Sequence, residues 1–267
     1  MVSESKHFGE ITLLITHYNR SLSLERLLKS FEELKISFNE IVVSDDCSKP
    51  EHIKNLLLFK DRYGITPVLA EKNKGLANNI NKGQHAVKSP YTLYVQEDFI
   101  PTPVFGQRLT DGLSMIKEDA NLDLVRFYAY RKYPFLKPVA YGFSEMQFNF
   151  WKPNAYQFNC YSDHPHLRRS SFIEKFGEYK EGIKSDRAEF MMVIAFLQNK
   201  GRAVIHNDYR EIFIQENSVQ EPSQVKRKKL RMQFQASENF IISIIRSVYR
   251  NIKFRYEYLF LKTGSNE

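Results

Sequence analysis

Short apolar strands alternate with amphipathic helices over the first 130 residues, and this alternation constrains the fold most. The run at 11–15, ITLLI, is continuously apolar, which is typical of a strand buried on both faces. It is followed by apolar residues with the spacing of one helical face, namely Leu24, Leu27, Leu28, Phe31 and Leu34. Because successive parallel strands need a crossover helix, the pattern predicts an α/β fold with a parallel sheet.

The same pattern places further strands at 41–43, 66–69 and 92–95, with helices beginning near residues 50 and 75. From residue 123 the pattern changes. We expect strands at 124–127 and 203–206, helices at 167–179 and 186–199, and loops with short strands at 128–161. The 128–161 stretch is rich in Tyr and Phe; we favour core packing for these rings over a surface that binds flat or sugar-like ligands.

Composition suits one α/β domain with an appendage. The chain has 267 residues, of which 42% are hydrophobic, and a net charge of +8. No run of 18 apolar residues occurs, and the first ten residues are too polar and acidic for a signal peptide. The two cysteines, Cys47 and Cys160, have neither zinc spacing nor a disulfide framework. These features favour the cytoplasm.

The positive charge is concentrated near the end of the chain. Residues 226–262 contain ten Lys or Arg and two acids, which accounts for the whole excess. The run KRKKLR at 226–231 leads into FIISII and then into basic residues among Tyr and Phe. This predicts a basic amphipathic helix, for which we favour an anionic membrane surface over packing on the domain. No nucleic acid partner is expected, because no nucleic-acid motif accompanies the charge.

Polar residues follow three of the predicted strands: THYNR at 16–20, SDDCS at 44–48 and QED at 96–98. Ligands bind beyond the carboxyl ends of strands in such sheets, so the three clusters should meet at one edge. Their acids suit ribose hydroxyls and a divalent cation, although acids also occur in solvated turns. Neither a G-x-G-x-x-G motif nor a P-loop is present, so a phosphate group would be held through a metal.

In this order and spacing, ITLLITHYNR, EIVVSDDCS, EKNKGLANNINKG and LYVQEDFIP resemble the family 2 glycosyltransferases. The later LRRSSFIEKFGEY resembles a further segment of that family, and the likeness covers about residues 10–206. It implies a GT-A fold, which is a Rossmann-like, mostly parallel sheet flanked by helices. The implied catalytic domain is 1–222, with a nucleotide-sugar half at 1–130 and an acceptor half at 131–222, followed by a basic helical extension at 223–267.

The resemblance also implies site residues. Asp46 matches a uracil or ribose contact, and Asp98 matches the ligand of Mn²⁺ or Mg²⁺ in the D-x-D position. His206 lies where some members have a further metal ligand. The remaining nucleotide-sugar contacts that it implies are Thr16, Tyr18, Arg20, Asn73, Gly75, Gln96 and Glu97.

Two departures from the family pattern concern the donor. Cys47 replaces the usual glycine after the second-strand acids, and Gln96 replaces the first acid of D-x-D. Gln96 is a weaker ribose partner because it carries no charge. Both departures affect nucleotide identity more than the fold.

The catalytic base is implied near residue 186. Inverting sugar transfer needs a carboxylate that takes the proton of the acceptor hydroxyl. The family's acidic pair is absent here, but Asp186 and Glu189 are three residues apart and would share a helical face. We favour Asp186 as the base, with Glu189 or a plain helix-capping role for Asp186 as alternatives.

Two histidines and two arginines lie close together at 164–169. His164 and His166 lack other clear metal ligands, so we assign them to the acceptor loop or to structure. Arg168 and Arg169 could pair with a diphosphate, but we favour a solvated surface.

The expected function is therefore the metal-dependent transfer, with inversion, of a hexosyl or N-acetylhexosaminyl group from a nucleotide sugar such as a UDP-sugar. The acceptor would be a hydroxyl of a glycan or lipid-linked glycan in cell-surface polysaccharide synthesis. One alternative, a nucleotidyltransferase, lacks a Gly-rich basic loop after the first strand. The other is a glycan-binding relative without turnover.

Overall fold

The computed structural model describes residues 5–216, 221 and 240–263. Its elements up to the fifth strand are β1 (Lys6–His17), α1 (Ser21–Glu33), β2 (Ile36–Asp45), α2 (Pro50–Tyr63), β3 (Ile65–Leu69), α3 (Leu76–Ala86), β4 (Tyr91–Gln96) and β5 (Phe99–Pro101). Then follow α4 (Phe105–Glu118), β6 (Leu124–Arg126), β7 (Leu136–Pro138), β8 (Phe143–Met146), a 3-10 helix (Ala155–Asn159), β9 (His166–Arg169), α5 (Phe172–Phe176), α6 (Ser185–Gln198), β10 (Ala203–His206), β11 (Phe213–Gln215) and α7 (Phe240–Phe260).

Within the described residues, nine strands form one central sheet in the order β3-β2-β1-β4-β9-β6-β10-β8-β7. All of these strands except β8 and β9 point in the same direction. Helices cover both faces, with α1 and α4 over one hydrophobic core and α3 and α6 over the other. The predicted fold, a mostly parallel α/β sheet flanked by helices, is confirmed.

β1 lies at the centre of the parallel half of the sheet. It pairs with β2 and with β4, so that Thr16 is opposite both Ser44 and Gln96. Leu13 and Leu14 point to opposite faces and are both completely buried, as the continuous apolar run predicts. The carboxyl ends of the three strands are therefore level with one another.

The amino end of α1 is held by a residue far away in the chain. Glu221 accepts hydrogen bonds from the backbone N–H groups of Leu22 and Ser23 at 2.9 and 2.8 Å. The Ser23 hydroxyl donates to the same carboxylate at 2.8 Å. This satisfies N–H groups that the first turn of a helix leaves without partners, and the negative charge suits the helix dipole.

The predicted helix at 167–179 is wrong at its start. His166–Arg169 is strand β9, which pairs antiparallel with β4 and β6, and only Phe172–Phe176 is helical. The apolar and polar residues of this segment have no clear period, and pairing in the gap between two strands decided the conformation. The predicted helix at 186–199 is confirmed as α6, and 128–161 contains short strands and loops as expected.

The predicted C-terminal helix is confirmed over Phe240–Phe260, whereas residues 222–239 lie outside the described part. One face of α7 packs on the domain: Phe254 lies 4.6 Å from Phe190, and Tyr258 lies 5.3 Å from Phe148, between ring centroids. The Gln198 amide also donates to the Tyr258 carbonyl at 2.8 Å. None of the helices that the structure describes is both long and apolar enough to cross a membrane.

Gly83 provides a test of the packing of α3 on the sheet. A Cβ there would lie 2.6 Å from Leu14 Cδ1 and 2.9 Å from Ser44 Cβ. We expect Gly83→Ala to lower the free energy of unfolding by about 1–3 kcal/mol, because overpacking displaces the central strands. The measurement is urea unfolding. Gly106→Ala in α4 is the control; its Cβ would meet the ends of two flexible side chains, Ile36 Cδ1 at 3.2 Å and Lys6 Cδ at 3.5 Å, and a change below about 1 kcal/mol is expected. Equal effects of the two changes would contradict this account.

Candidate active site

A buried histidine–aspartate pair lies at the carboxyl ends of β1 and β2. His17 Nε2 accepts from the Arg20 amide at 3.2 Å, so Nδ1 carries the proton and donates to Asp45 Oδ2 at 2.7 Å. Ser48 donates to Asp45 with both its hydroxyl and its amide. Burial alone would raise the pKa of Asp45, but these hydrogen bonds lower it below the ordinary value. The pair fixes the two loops relative to each other.

Arg20 connects the first loop to the acids after β4. Its guanidinium Nη1 lies 3.0 Å from Glu97 Oε1 and 3.6 Å from Asp98 Oδ2, and all three side chains are nearly buried. Burial, and then the adjacent charge of Asp98, raise the pKa of Glu97 to about 7, while Arg20 opposes the rise. Two carboxyl groups thus face one guanidinium, so the centre suits an additional cation.

Asp98 has an oxygen available for such a cation. Its Oδ2 accepts from the Gln215 side-chain amide at 3.0 Å, but its buried Oδ1 has no hydrogen-bond partner among the described residues. No three His, Cys, Asp or Glu side chains of the described part are grouped closely enough to hold a metal. Mg²⁺ is commonly held by one or two carboxylates, with substrate phosphates and water as the other ligands. The residues present fit a divalent ion of this kind.

Asp46 holds the loop that precedes α3. Its two carboxylate oxygens accept from the backbone N–H groups of Lys74 and Gly75, both at 2.8 Å. Gly75 has a φ of 87°, which favours glycine, and it caps α3. Burial raises the pKa of Asp46 although these amides oppose the rise. Asn73 is exposed one residue before the bonded pair. Asp46, Asn73 and Gly75, predicted to contact the nucleoside, are therefore brought together.

Thr16 and Gln96 meet at Tyr94. The Thr16 and Tyr94 hydroxyls share a hydrogen bond of 3.0 Å, and the Gln96 side chain also hydrogen-bonds the Tyr94 hydroxyl. Tyr18 is half-buried in the loop after β1, next to Asn19, whose φ is 54°. The structure thus places Thr16, Tyr18, Arg20, Gln96 and Glu97 around one sheet edge.

A cavity of about 300 Å³ lies beside this edge, and both candidate bases line it. Asp186 is exposed in the first turn of α6, and the capping residue is Lys184. The alternative in which Asp186 merely caps the helix is therefore wrong. The other polar residues in the wall are Arg126, Tyr130, Arg131, Tyr133, Asn159, Tyr161, Ser162 and His164.

Glu189 forms a carboxyl pair with Asp163, which the sequence analysis missed. The Asp163 amide donates to Glu189 Oε1 at 3.1 Å, and the Tyr179 hydroxyl donates to the Asp163 carboxylate. Burial raises the pKa values of both acids, and the adjacent charge of Glu189 raises that of Asp163 further. Asp163 stands in the D-H-P-H segment, so its only sequence signal was the neighbouring histidines.

Gln215 and Tyr130 connect the acidic centre to the cavity, and sequence reasoning missed both. The Tyr130 hydroxyl donates to Gln215 Oε1 at 2.7 Å, and Gln215 in turn donates to Asp98. The Tyr130 ring lies 4.4 Å from the His164 ring, between centroids. Burial lowers the pKa of His164 to about 3, and the positive charge of Arg126 adds to the effect, so this ring is neutral at pH 7. Nothing in the sequence linked residue 215 to residue 98, because β11 pairs with β5 only in the folded chain.

His206 and Arg168 have other neighbours. The His206 ring packs 4.9 Å from Phe143, and its Nδ1 accepts from the Asp208 amide at 3.1 Å. The structure does not group it with Asp98 as a metal site. The predicted solvated surface at 168 is wrong, because Arg168 is buried and donates to Gln84 and to the Tyr161 hydroxyl, at 2.7 and 3.2 Å.

Asp46 offers a test of how the nucleoside loop is held. We expect Asp46→Asn to lower the free energy of unfolding by about 2 kcal/mol, because an amide cannot accept both charge-assisted hydrogen bonds. Hydrogen exchange at the Lys74 and Gly75 amides should accelerate. Asp61→Asn, at an exposed position of α2, is the matched control and should leave both measurements unchanged. Unaltered exchange at the two amides in Asp46→Asn would refute the assignment.

Solved structures with the same fold include glycosyltransferases. The structure of S. aureus TarS 1–349 in complex with UDP-GlcNAc has a TM-score of 0.62 and 13% identity, over 95% of this chain and 76% of that one. The mannosyltransferase PcManGT from Pyrobaculum calidifontis, in complex with GDP-Man and Mn²⁺, has a TM-score of 0.56 and 11% identity, over 94% and 74% of the two chains. At such identities, the likeness shows the fold.

Sequence comparison gives the family. An uncharacterized glycosyltransferase of Haemophilus influenzae is 24% identical over 119 residues, which is 43% of this chain and 37% of that protein. The match thus spans little more than a third of that relative. The sequence profile of glycosyl transferase family 2 matches residues 12–176, more than half of the chain. This range runs from β1 to the end of α5 and includes the three loops that meet at the sheet edge, and the chain belongs to glycosyl transferase family 2.

Proposed function

We propose that this chain transfers a hexosyl or N-acetylhexosaminyl group from a nucleotide-diphosphate sugar to a hydroxyl of a glycan or lipid-linked glycan, with inversion, in cell-surface polysaccharide synthesis. The observation that carries the proposal is the unpartnered Asp98 Oδ1, in a centre that Gln215 and Tyr130 connect to a cavity with two acids. In such a reaction, the diphosphate that the metal holds and the base that deprotonates the acceptor need to lie close together. We place the enzyme in the cytoplasm.

The donor would bind along the sheet edge. Asp46, Asn73 and Gly75 form the side that we assign to the nucleoside, and Thr16, Tyr18 and Gln96 form the wall next to it. Arg20 and Glu97 lie between this region and Asp98. The TarS and PcManGT structures, with UDP-GlcNAc and GDP-Man, support a nucleotide sugar as the donor class.

Asp98 would hold Mn²⁺ or Mg²⁺, and Glu97 and Arg20 would set the charge around it. When bound, the ion neutralises the charge that develops on the leaving diphosphate. The Mn²⁺ in the PcManGT structure supports a divalent ion in this fold. His206 is not part of the proposed site, because its ring nitrogen accepts from Asp208 and its ring packs on Phe143.

The acceptor hydroxyl would enter the cavity beside α6. Its proton passes to a carboxylate while its oxygen bonds to the anomeric carbon, and the bond to the diphosphate breaks with its electron pair leaving on the diphosphate. We assign Asp186, which is exposed on the wall of the cavity, as the carboxylate that takes this proton. Glu189 remains the second candidate, because burial raises its pKa towards the range that suits a base.

Donor turnover tests the proposal directly. With Mn²⁺ present, we expect hydrolysis of one member of a panel of UDP-, GDP- and dTDP-sugars, and Asp98→Asn should lower its rate about 100-fold or more. This variant keeps an acceptor for Gln215 but loses the charge. Asp61→Asn should hydrolyse the donor like the parent protein. If no donor were bound or hydrolysed with metal, a glycan-binding or nucleotidyltransferase role would replace the transferase proposal.

The two candidate bases can be separated by kinetics. We expect Asp186→Asn to lower kcat about 10²–10⁴-fold with little change in donor KM, and Glu189→Gln to lower it less than about tenfold. The opposite ranking would move the role to Glu189. In that case the base must be deprotonated and its pKa is raised, so kcat/KM would already fall, as the pH decreases, at values above the usual glutamate range. The measurement is the pH profile of the parent protein and of both variants.

A further inference from the structure

The outer face of α7 carries an apolar stripe that the domain leaves exposed. Its members recur at intervals of three, four and seven residues, so that they share one side of the helix. Ile252 at the middle is 65% exposed, and Phe260 near the end is 66% exposed. The apolar stripe consists of Ile245, Val248, Tyr249, Ile252, Tyr256, Leu259 and Phe260.

Contacts of α7 with the domain fix the direction in which the stripe points. Phe254 packs on Phe158 and Phe190, with ring centroids 5.4 and 4.6 Å apart. The Arg255 guanidinium donates to the carbonyls of Phe150 and Lys152 at 2.8 and 2.6 Å. A helix held in this way cannot turn its stripe towards the core. Seven large apolar side chains in one row are more than scattered surface residues, and such patches indicate an interaction site.

Basic residues border the stripe on both sides. At 100° per residue, Arg246 and Lys253 lie along one edge of the stripe, and Arg255, whose guanidinium also binds the domain, lies along the other. Lys262 follows two residues after the end of α7. The sequence before α7 adds five more Lys or Arg at 226–231. An apolar face with cationic margins and Tyr side chains is typical of a helix that lies in the plane of a lipid surface.

We propose that this face of α7 docks the protein on an anionic lipid bilayer, with the stripe at the level of the headgroups. Charge decides between this occupant and a second copy of the chain. A dimer through this face would bring together two copies of the 226–262 segment, each with a net charge of +8, and these would repel each other. An anionic surface attracts each of them. Four of the seven side chains in the stripe are aliphatic, so most of the stripe can neither stack on bases nor hydrogen-bond to them. The docking concerns where the proposed enzyme works, and lipid binding itself needs no turnover.

Vesicle co-sedimentation of the full chain tests this inference. We expect binding to phosphatidylcholine vesicles that contain phosphatidylglycerol, at least tenfold weaker binding to phosphatidylcholine alone, and weaker binding with added salt. Ile252→Ser should weaken binding to the anionic vesicles roughly tenfold, because a largely exposed isoleucine would no longer be buried in lipid. Lys253→Gln should weaken it about fivefold through the lost charge.

Leu58→Ser is the matched control, since Leu58 on α2 is 57% exposed and lies away from the stripe. It should sediment like the parent protein. Donor hydrolysis with a water-soluble acceptor should be unchanged in Ile252→Ser, and an unchanged melting temperature would show that the variant folds. If the parent protein bound anionic vesicles but hydrolysed no donor, the proposed function would be overturned and the docking would not.

Several results would overturn the docking. They are equal binding to neutral and anionic vesicles, no vesicle binding by the parent protein, and equal binding by Ile252→Ser and Leu58→Ser. A concentration-dependent dimer that Ile252→Ser abolishes, without vesicle binding, would assign the stripe to a second copy instead. Binding of an RNA oligonucleotide in place of vesicles would assign the basic margins to nucleic acid.

Discussion

β1 runs between β2 and β4 and is parallel to both, and the candidate active site depends on this pairing. The backbone hydrogen bonds of the two ladders bring His17 opposite Asp45 and Thr16 opposite Gln96. A strand buried on both faces cannot shift by one residue without moving its polar residues into a core. The register is therefore strongly specified, and with it the distance between the loops that end in polar clusters.

The site is built from buried charges that must be compensated locally. Asp45 receives three hydrogen bonds from His17 and Ser48, and its pKa is lowered despite burial. At the end of β4, by contrast, Arg20 serves two carboxyl groups, and the pKa of Glu97 is raised to about 7. An unpartnered buried oxygen costs about 1–3 kcal/mol, so a cation at Asp98 would recover energy that the protein alone does not. The first pair is a structural support, and the second centre is suited to a ligand.

The cavity lies beside β6, β10 and α6, and α7 packs on the domain next to it. The Phe254 ring packs on Phe158 of the 3-10 helix and on Phe190 of α6, whose first turn bears Asp186. The helix that carries the exposed apolar stripe is thus in contact with the helix that carries both candidate bases. A surface bound through the stripe would lie beside the acceptor side of the molecule, as the proposed lipid-linked acceptor requires.

The sequence by itself determined the order of strands and helices in the parallel half, because buried strands and amphipathic helices have different periods. It also determined which strand ends carry the acids at 46, 97 and 98, and that a basic helix lies near the end of the chain. Only the tertiary structure decided that 166–169 is a strand, because pairing with β4 and β6 overrides a weak local preference. It alone joined Gln215 to Asp98, Asp163 to Glu189 and Glu221 to α1. Those contacts link residues 26 to 199 positions apart, and no local pattern of side chains encodes such pairs.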